Sequence, residues 1–231
     1  MRRRAAASTC AVIGVMAGVG VVAGVTGVAR ADVTLLTQAR SATARSYDFS
    51  TFPNPTLYEE TWAAADFGPG LARLYPYGGM GVAEHASVLT PMLITASGTA
   101  VGVRGFQTYH GRGEVDVAIG FRVDSAMPYR LSGLWGITPY TGEADFTLTG
   151  PGVDWRAGKD TAAGIFDGTF DVVGVLSPGD YMLTAYIRGA NGGVAIPTGS
   201  AYFDMRLEVP GPGAIPVCFG AVAAGLVRRR R

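Results

Sequence analysis

The side chains capable of acid-base or metal chemistry are few. Two histidines, His85 and His110, stand 25 residues apart in segments without a metal-ligand spacing. Zinc would need three or four convergent ligands, so surface or edge histidines are the expectation. No Gly-x-Ser-x-Gly turn presents a serine nucleophile. Glycoside hydrolysis needs two opposed carboxyl groups; Glu59, Glu60, Glu84, Glu114 and Glu143 are available, but nothing in their spacing selects two of them. No catalytic residue is assigned, and a secreted hydrolase ranks behind the non-enzymatic readings.

Binding chemistry is better represented. Glu114 and Asp116 are two apart in an alternating segment, so they project from one face of a strand and, with a loop carbonyl, make a calcium pair. Asp160, Asp167 and Asp171 form a second acidic group. A solvated polar face is the plainer reading of both. Tyr75 and Tyr77, in the stretch Leu-Tyr-Pro-Tyr-Gly-Gly, sit on a predicted loop and are the candidate ligand-binding residues. Exposed rings with a polar rim stack on sugar faces. Trp62, Trp135 and Trp155 are scattered over predicted strands and turns, where capping a core is the commoner role.

These residues are positioned by an alternation of period two. Val115, Val117, Ile119, Phe121 and Val123 form one face of a segment whose other face carries Glu114, Asp116, Arg122 and Asp124. Ala144, Phe146 and Leu148, then Phe166, Phe170 and Val172, then Tyr181, Leu183, Ala185 and Ile187, repeat the pattern. In the closing segment Ala201, Phe203, Met205, Leu207 and Val209 point inward, while Tyr202, Asp204, Arg206 and Glu208 point outward. Turn signals separate the runs, notably Gly150-Pro151-Gly152 and Ser177-Pro178-Gly179-Asp180. Residues 33–38 and 42–49 read as strands, 58–66 as a strand or short helix, and 82–89 and 92–106 as strand-like. The expected fold class is all-β, an antiparallel β-sandwich of jelly-roll type.

Both ends differ from this domain. Arg2, Arg3 and Arg4 precede an apolar run over 11–28, and Ala29 and Ala31 supply the small residues of a cleavage site, so residues 1–31 read as a secretory signal. Residues 32–209 are the expected ectodomain and 210–231 a separate terminal segment. Its run over 215–227 would reach only ~20 Å as a helix, short of the ~30 Å of a bilayer core. Arg228, Arg229, Arg230 and Arg231 follow it and favour the cytoplasmic side. Both cysteines, Cys10 and Cys218, lie in these ends, which leaves the ectodomain without a disulfide. Eight of the 19 basic residues lie there too, whereas all 18 acidic residues lie between, giving the ectodomain a charge of −7. That balance argues against a nucleic-acid partner.

The terminal segment, with Val209, Pro210 and Pro212 before a short apolar run and four arginines, resembles the PEP-CTERM sorting domain of exported bacterial proteins. Gly211 stands where that family most often has glutamate. Residues 123–133, 146–152 and 176–183 resemble the ectodomains that often precede such tails. The resemblance implies an exosortase-like partner, contact with the membrane through the terminal segment, and a place at the cell surface or outside it. The expected function is structural or adhesive within the envelope or exopolysaccharide matrix. The alternative is a carbohydrate-binding module. No cofactor is expected apart from calcium.

Overall fold

The period-two alternation runs through nearly every segment described in the computed structural model, and each such run is a strand. The described residues are 32–50, 53–76, 80–105, 109–138, 141–159, 166–191 and 198–209. The expected signal segment with Ala29 and Ala31, the terminal segment from Pro210 through Pro212 to Arg228, Arg229, Arg230 and Arg231, and also Tyr77 and Asp160, lie outside them.

Among the described residues the elements are β1 (Val33–Asp48), β2 (Thr56–Ala63), β3 (Gly70–Leu74), β4 (Gly81–Thr90), β5 (Leu93–Val103) and β6 (Tyr109–Val123), followed by β7 (Met127–Ile137), β8 (Gly142–Gly150), β9 (Val153–Gly158), β10 (Asp167–Leu176), β11 (Gly179–Ala190) and β12 (Thr198–Glu208). They form two antiparallel six-stranded sheets. Sheet 1 has the order β2-β1-β6-β11-β8-β9 and sheet 2 the order β10-β7-β12-β5-β4-β3. From β5 onward the pairing is nested: β5 with β12, β6 with β11, β7 with β10 and β8 with β9, alternating between the sheets.

Two early segments differ from expectation. Residues 33–38 and 42–49 belong to one continuous strand, β1, whose register shifts between Leu35 and Thr37. The segment from residue 58, open between strand and helix in the sequence, is the edge strand β2. The turns form where Pro and Gly stand. Gly150 pairs with Val153 across Pro151-Gly152, and Gly152 and Gly179 have φ of +73° and +146°, values that glycine reaches without a side-chain clash.

The inward faces carry the core, and side-chain size changes along them. On β6 the inward residues run Gly111, Gly113, Val115, Val117, Ile119, Phe121, from small to large. On β12 they run Gly199, Ala201, Phe203, Met205, Leu207 in the same spatial sense, and β11 runs antiparallel from Tyr181 to Gly189. The sandwich therefore tapers. At its narrow end backbones of opposite sheets touch: a Cβ at Gly111 would lie 1.6 Å from the Met80 carbonyl oxygen, at Gly113 1.9 Å from that of Val82, and at Gly189 2.2 Å from that of Ala100. Ordinary packed sheets stand ~10 Å apart. The wide end holds Phe121 stacked on Tyr181 at 5.4 Å, with Met127, Tyr129 and Leu176. Both Val33 and Val209 lie at that end. The buried Val209 donates its N–H to the Met92 carbonyl at 3.0 Å.

Because the obstructing atoms at the narrow end are main chain, a methyl group there forces the sheets apart. Gly111→Ala should lower stability by at least about 3 kcal/mol. Gly120→Ala, whose added Cβ meets only the side chain of Thr37 at 2.4 Å, should cost far less. Denaturant midpoints of the two variants check this ordering.

Candidate functional site

The two outer faces differ most along their central strands. On sheet 1 the polar side chains satisfy one another. Glu114 Oε2 accepts from Arg45 Nη1 at 2.6 Å, and its Oε1 accepts from Arg112 Nη2 and, at 3.0 Å, from Tyr186 Oη. Arg45 Nε also donates to Glu59 at 2.5 Å. Arg156 grips Asp145 with two hydrogen bonds, Arg188 bonds Glu143, and Thr147 meets Thr184 at 2.7 Å. Burial pushes the Glu114 carboxyl up, yet the hydrogen bonds from Arg112 and Tyr186 and the charges of Arg112 and Arg45 hold it below the usual carboxylate range. Burial, and then the charge of Glu114, raise Asp116.

Glu114 and Asp116 do share the outer face, as their spacing predicts. The residues present do not fit calcium there, because both oxygens of Glu114 are already held by two guanidinium groups and a phenol. Of the second acidic group, Asp171 is held by Arg130 through two hydrogen bonds of 2.8 Å. Among the described residues no three His, Cys, Asp or Glu side chains converge on a metal position.

On sheet 2 the charged side chains also pair, Arg130 with Asp171 and Arg73 with Glu84, but the short hydroxyls along the middle of the sheet are left to solvent. β5 presents Thr95, Ser97 and Thr99 outward, between Glu84, Ala86 and Val88 of β4 and Tyr202, Asp204 and Arg206 of β12. These floor residues are short and the β12 side chains Tyr202, Asp204 and Arg206 beside them are longer, so a furrow runs along β5. Its upper part encloses about 390 Å³, flanked by Leu71 and Arg73 on β3 and by Leu134 on β7. It continues into a hollow of about 300 Å³ beside Val88 and Thr95, with Ala86, Ser97 and Asp204 shared by both parts. The walls are open and partly apolar: Leu71 is 74% exposed and Tyr202 47%.

Tyr202 lies across Gly136, its register partner on β7. A Cβ at Gly136 would come within 2.6 Å of the Tyr202 Oη, so glycine there lets the ring lie along the sheet. Tyr75 stands at the upper rim. It is exposed, its Oη donates to Glu84 Oε1 at 2.7 Å, and its N–H donates to Glu60 Oε2 at 3.1 Å. That bond to Glu84 raises the Tyr75 phenol above its ordinary pKa. Arg73 pairs with the same carboxylate at 3.4 Å.

Tyr75 thus reaches the furrow only through its bond to Glu84 and does not line either hollow. Tyr202 and Asp204 were legible as outward residues, but their role depends on β5 pairing with β12, which no local pattern encodes. The tryptophans face inward. Trp135 is buried, and Trp62 and Trp155 are half-buried against the core.

Histidine placement corrects the sequence reading. His85 is 1% exposed, because the alternation of β4 puts it on the inward face with Ala83 and Ser87. His110 is half-buried, its Nδ1 2.8 Å from Asn191 Nδ2. Arg40, 2% exposed on β1, crosses the sandwich to His85's neighbourhood. It donates to Ser87 Oγ at 2.7 Å, to the carbonyls of Asp66 at 2.5 Å and Gly68 at 2.9 Å, and to Gln38 at 2.9 Å. Ser87 Oγ lies 2.9 Å from His85 Nε2. Arginine can only donate, so Ser87 Oγ accepts from it and the hydroxyl proton remains available to His85 Nε2. His85 Nδ1 faces the Ser97 backbone without a well-formed hydrogen bond. A buried serine held by arginine, beside a histidine with no carboxylate behind it, is a structural latch and lacks the geometry of a hydrolytic triad.

No family model matches the chain, and no curated protein matches it.

Burial, reinforced by the charge of Arg40, pushes the His85 imidazole down to about 4. The groups facing it are Arg40, Ser87 and the Trp62 ring, 5.4 Å away. Since the unfolded chain takes up this proton first, the stabilisation is complete above the ordinary histidine pKa and is lost as pH falls toward 4. The loss should approach about 3 kcal/mol. Urea unfolding of the chain at pH 7 and pH 4.5 should show the decline, and His85→Gln should flatten it.

Proposed function

We propose that this chain is an exported, non-catalytic domain of jelly-roll type that docks polysaccharide of the envelope or its matrix along the β5 furrow. The nested pairing of β5 through β12, alternating between sheets, supports the jelly-roll reading. The observation that carries the docking reading is the contrast between faces. Sheet 1 consumes its polar groups in cross-strand pairs, whereas sheet 2 keeps a row of short hydroxyls between an exposed tyrosine and exposed leucines. Hydroxyl-rich ligands with apolar ring faces suit such a surface. Adhesion is then the mechanical use of this docking.

The address comes from the ends. Residues 1–31 act as the secretory signal, and Val209, Pro210, Pro212 and Arg228 through Arg231 act as the sorting signal read by an exosortase-like enzyme, with the membrane as a transient or lasting anchor. Gly211 in place of glutamate bears on cleavage more than on export.

Two measurements test this. Affinity electrophoresis of the full chain through gels containing polysaccharide should show retardation, and Tyr202→Ala should weaken it by roughly tenfold, about 1.4 kcal/mol. Unchanged retardation would remove the furrow from the mechanism. Intact mass and fractionation of the native protein, with and without residues 210–231, should show surface retention only when that segment is encoded. A chain that behaves identically without it refutes the sorting signal.

A further inference from the structure

We infer that the furrow selects uncharged, hydroxyl-rich glycans and rejects polymers bearing carboxylate or sulfate groups. The inference rests on the docking reading above and adds to it the charge of the ligand. Asp204 sits at the centre, lining both parts of the furrow. Its carboxylate has no hydrogen-bond or ion-pair partner among the described residues, nor do the hydroxyls of its register partner Ser97 and of Thr95 and Thr99 on either side of it. An ionised carboxylate only accepts, so whatever engages Asp204 must donate. Two neighbouring hydroxyls of one sugar ring supply two donors to its two oxygens, and the floor hydroxyls can give or accept the next bonds along the chain.

The same inventory disfavours acidic ligands. Arg73 is the one cation among the residues lining the furrow, and it is paired with Glu84. Arg206, next to the lower part, is engaged by Glu208. Asp204 therefore presents negative charge at the centre of the furrow with no cation bonded to it, while the nearby Arg73 and Arg206 are each shared with a glutamate, so an acidic sugar seated over Asp204 would meet repulsion. The ectodomain's surplus of acidic residues acts in the same direction.

The test is retardation of the full chain, in 150 mM salt, by neutral glucans, mannans and galactans, by alginate and polygalacturonate, and by sulfated dextran. Binding to at least one neutral polymer, with none to the acidic ones, is expected. Asp204→Asn should weaken neutral binding at least fivefold while leaving the thermal midpoint within a degree or two, since the side chain is exposed. Asp204→Lys should abolish neutral binding and admit alginate. Retardation by an acidic polymer equal to or stronger than by any neutral one overturns the inference and leaves docking intact, as does neutral binding that is indifferent to Asp204→Asn but lost in Tyr202→Ala. Absence of binding to every polymer overturns the docking reading and this inference together.

Discussion

Everything in this sandwich depends on how closely its two sheets approach at one end. Inward glycines on β4, β5, β6, β11 and β12 remove side chains where the sheets meet, so main chain lies against main chain. Close approach gathers dispersion contacts and excludes water from backbone groups that are already paired within their own sheets. The larger residues then collect toward the other end, and the core is a wedge. The wedge fixes which strands face each other, and the register of each strand follows, because a slip by one residue would drive outward side chains into a seam with no room for them.

The open flank of the wedge, between β1 and the β3-β4 edge, is closed differently. There the long side chain of Arg40 spans the gap and takes up two loop carbonyls and a serine hydroxyl. A cation in such a place is tolerable only when its donors are nearly all used, and removing a partner leaves a buried group unsatisfied. The latch lies directly beneath β4, on the opposite side of that strand from the furrow. Ser87 and His85 point inward while Glu84 and Ala86 point outward, so the rigidity of the hidden cluster and the shape of the exposed face come from alternate residues of one strand.

Much of this was readable from the residues alone. The alternation of Val115 through Val123 and of Ala201 through Val209 gives strands, faces and fold class, since a half-buried strand needs that period. The size gradient on β6 is also present in the sequence, but its meaning is not: only pairing tells that Gly111, Met80 and Ala190 converge. His85 misled because a lone histidine says nothing of its face until the strand's phase is fixed by Ala83 and Leu89. The calcium reading of Glu114 and Asp116 was right about their shared face and blind to Arg45 and Arg112, which arrive from a neighbouring strand and from the same one. The furrow was invisible for a related reason. Its floor and walls come from strands far apart in the chain, and none of Ser97, Tyr202 or Asp204 is unusual in its own segment.

The position of β12 has a mechanical consequence. This strand is central in sheet 2, bonded to β5 along its whole length and to β7 along most of it, and its last residue leaves at the wide end. It also supplies one wall of the furrow. A load applied between a chain held in the furrow and an attachment beyond residue 209 would pass along β12 itself, in shear, across two ladders of hydrogen bonds perpendicular to the pull. Such bonds must yield together rather than one after another. The line of force would bypass both the glycine seam and the buried arginine, so tension would be borne by the part of the molecule best arranged to resist it.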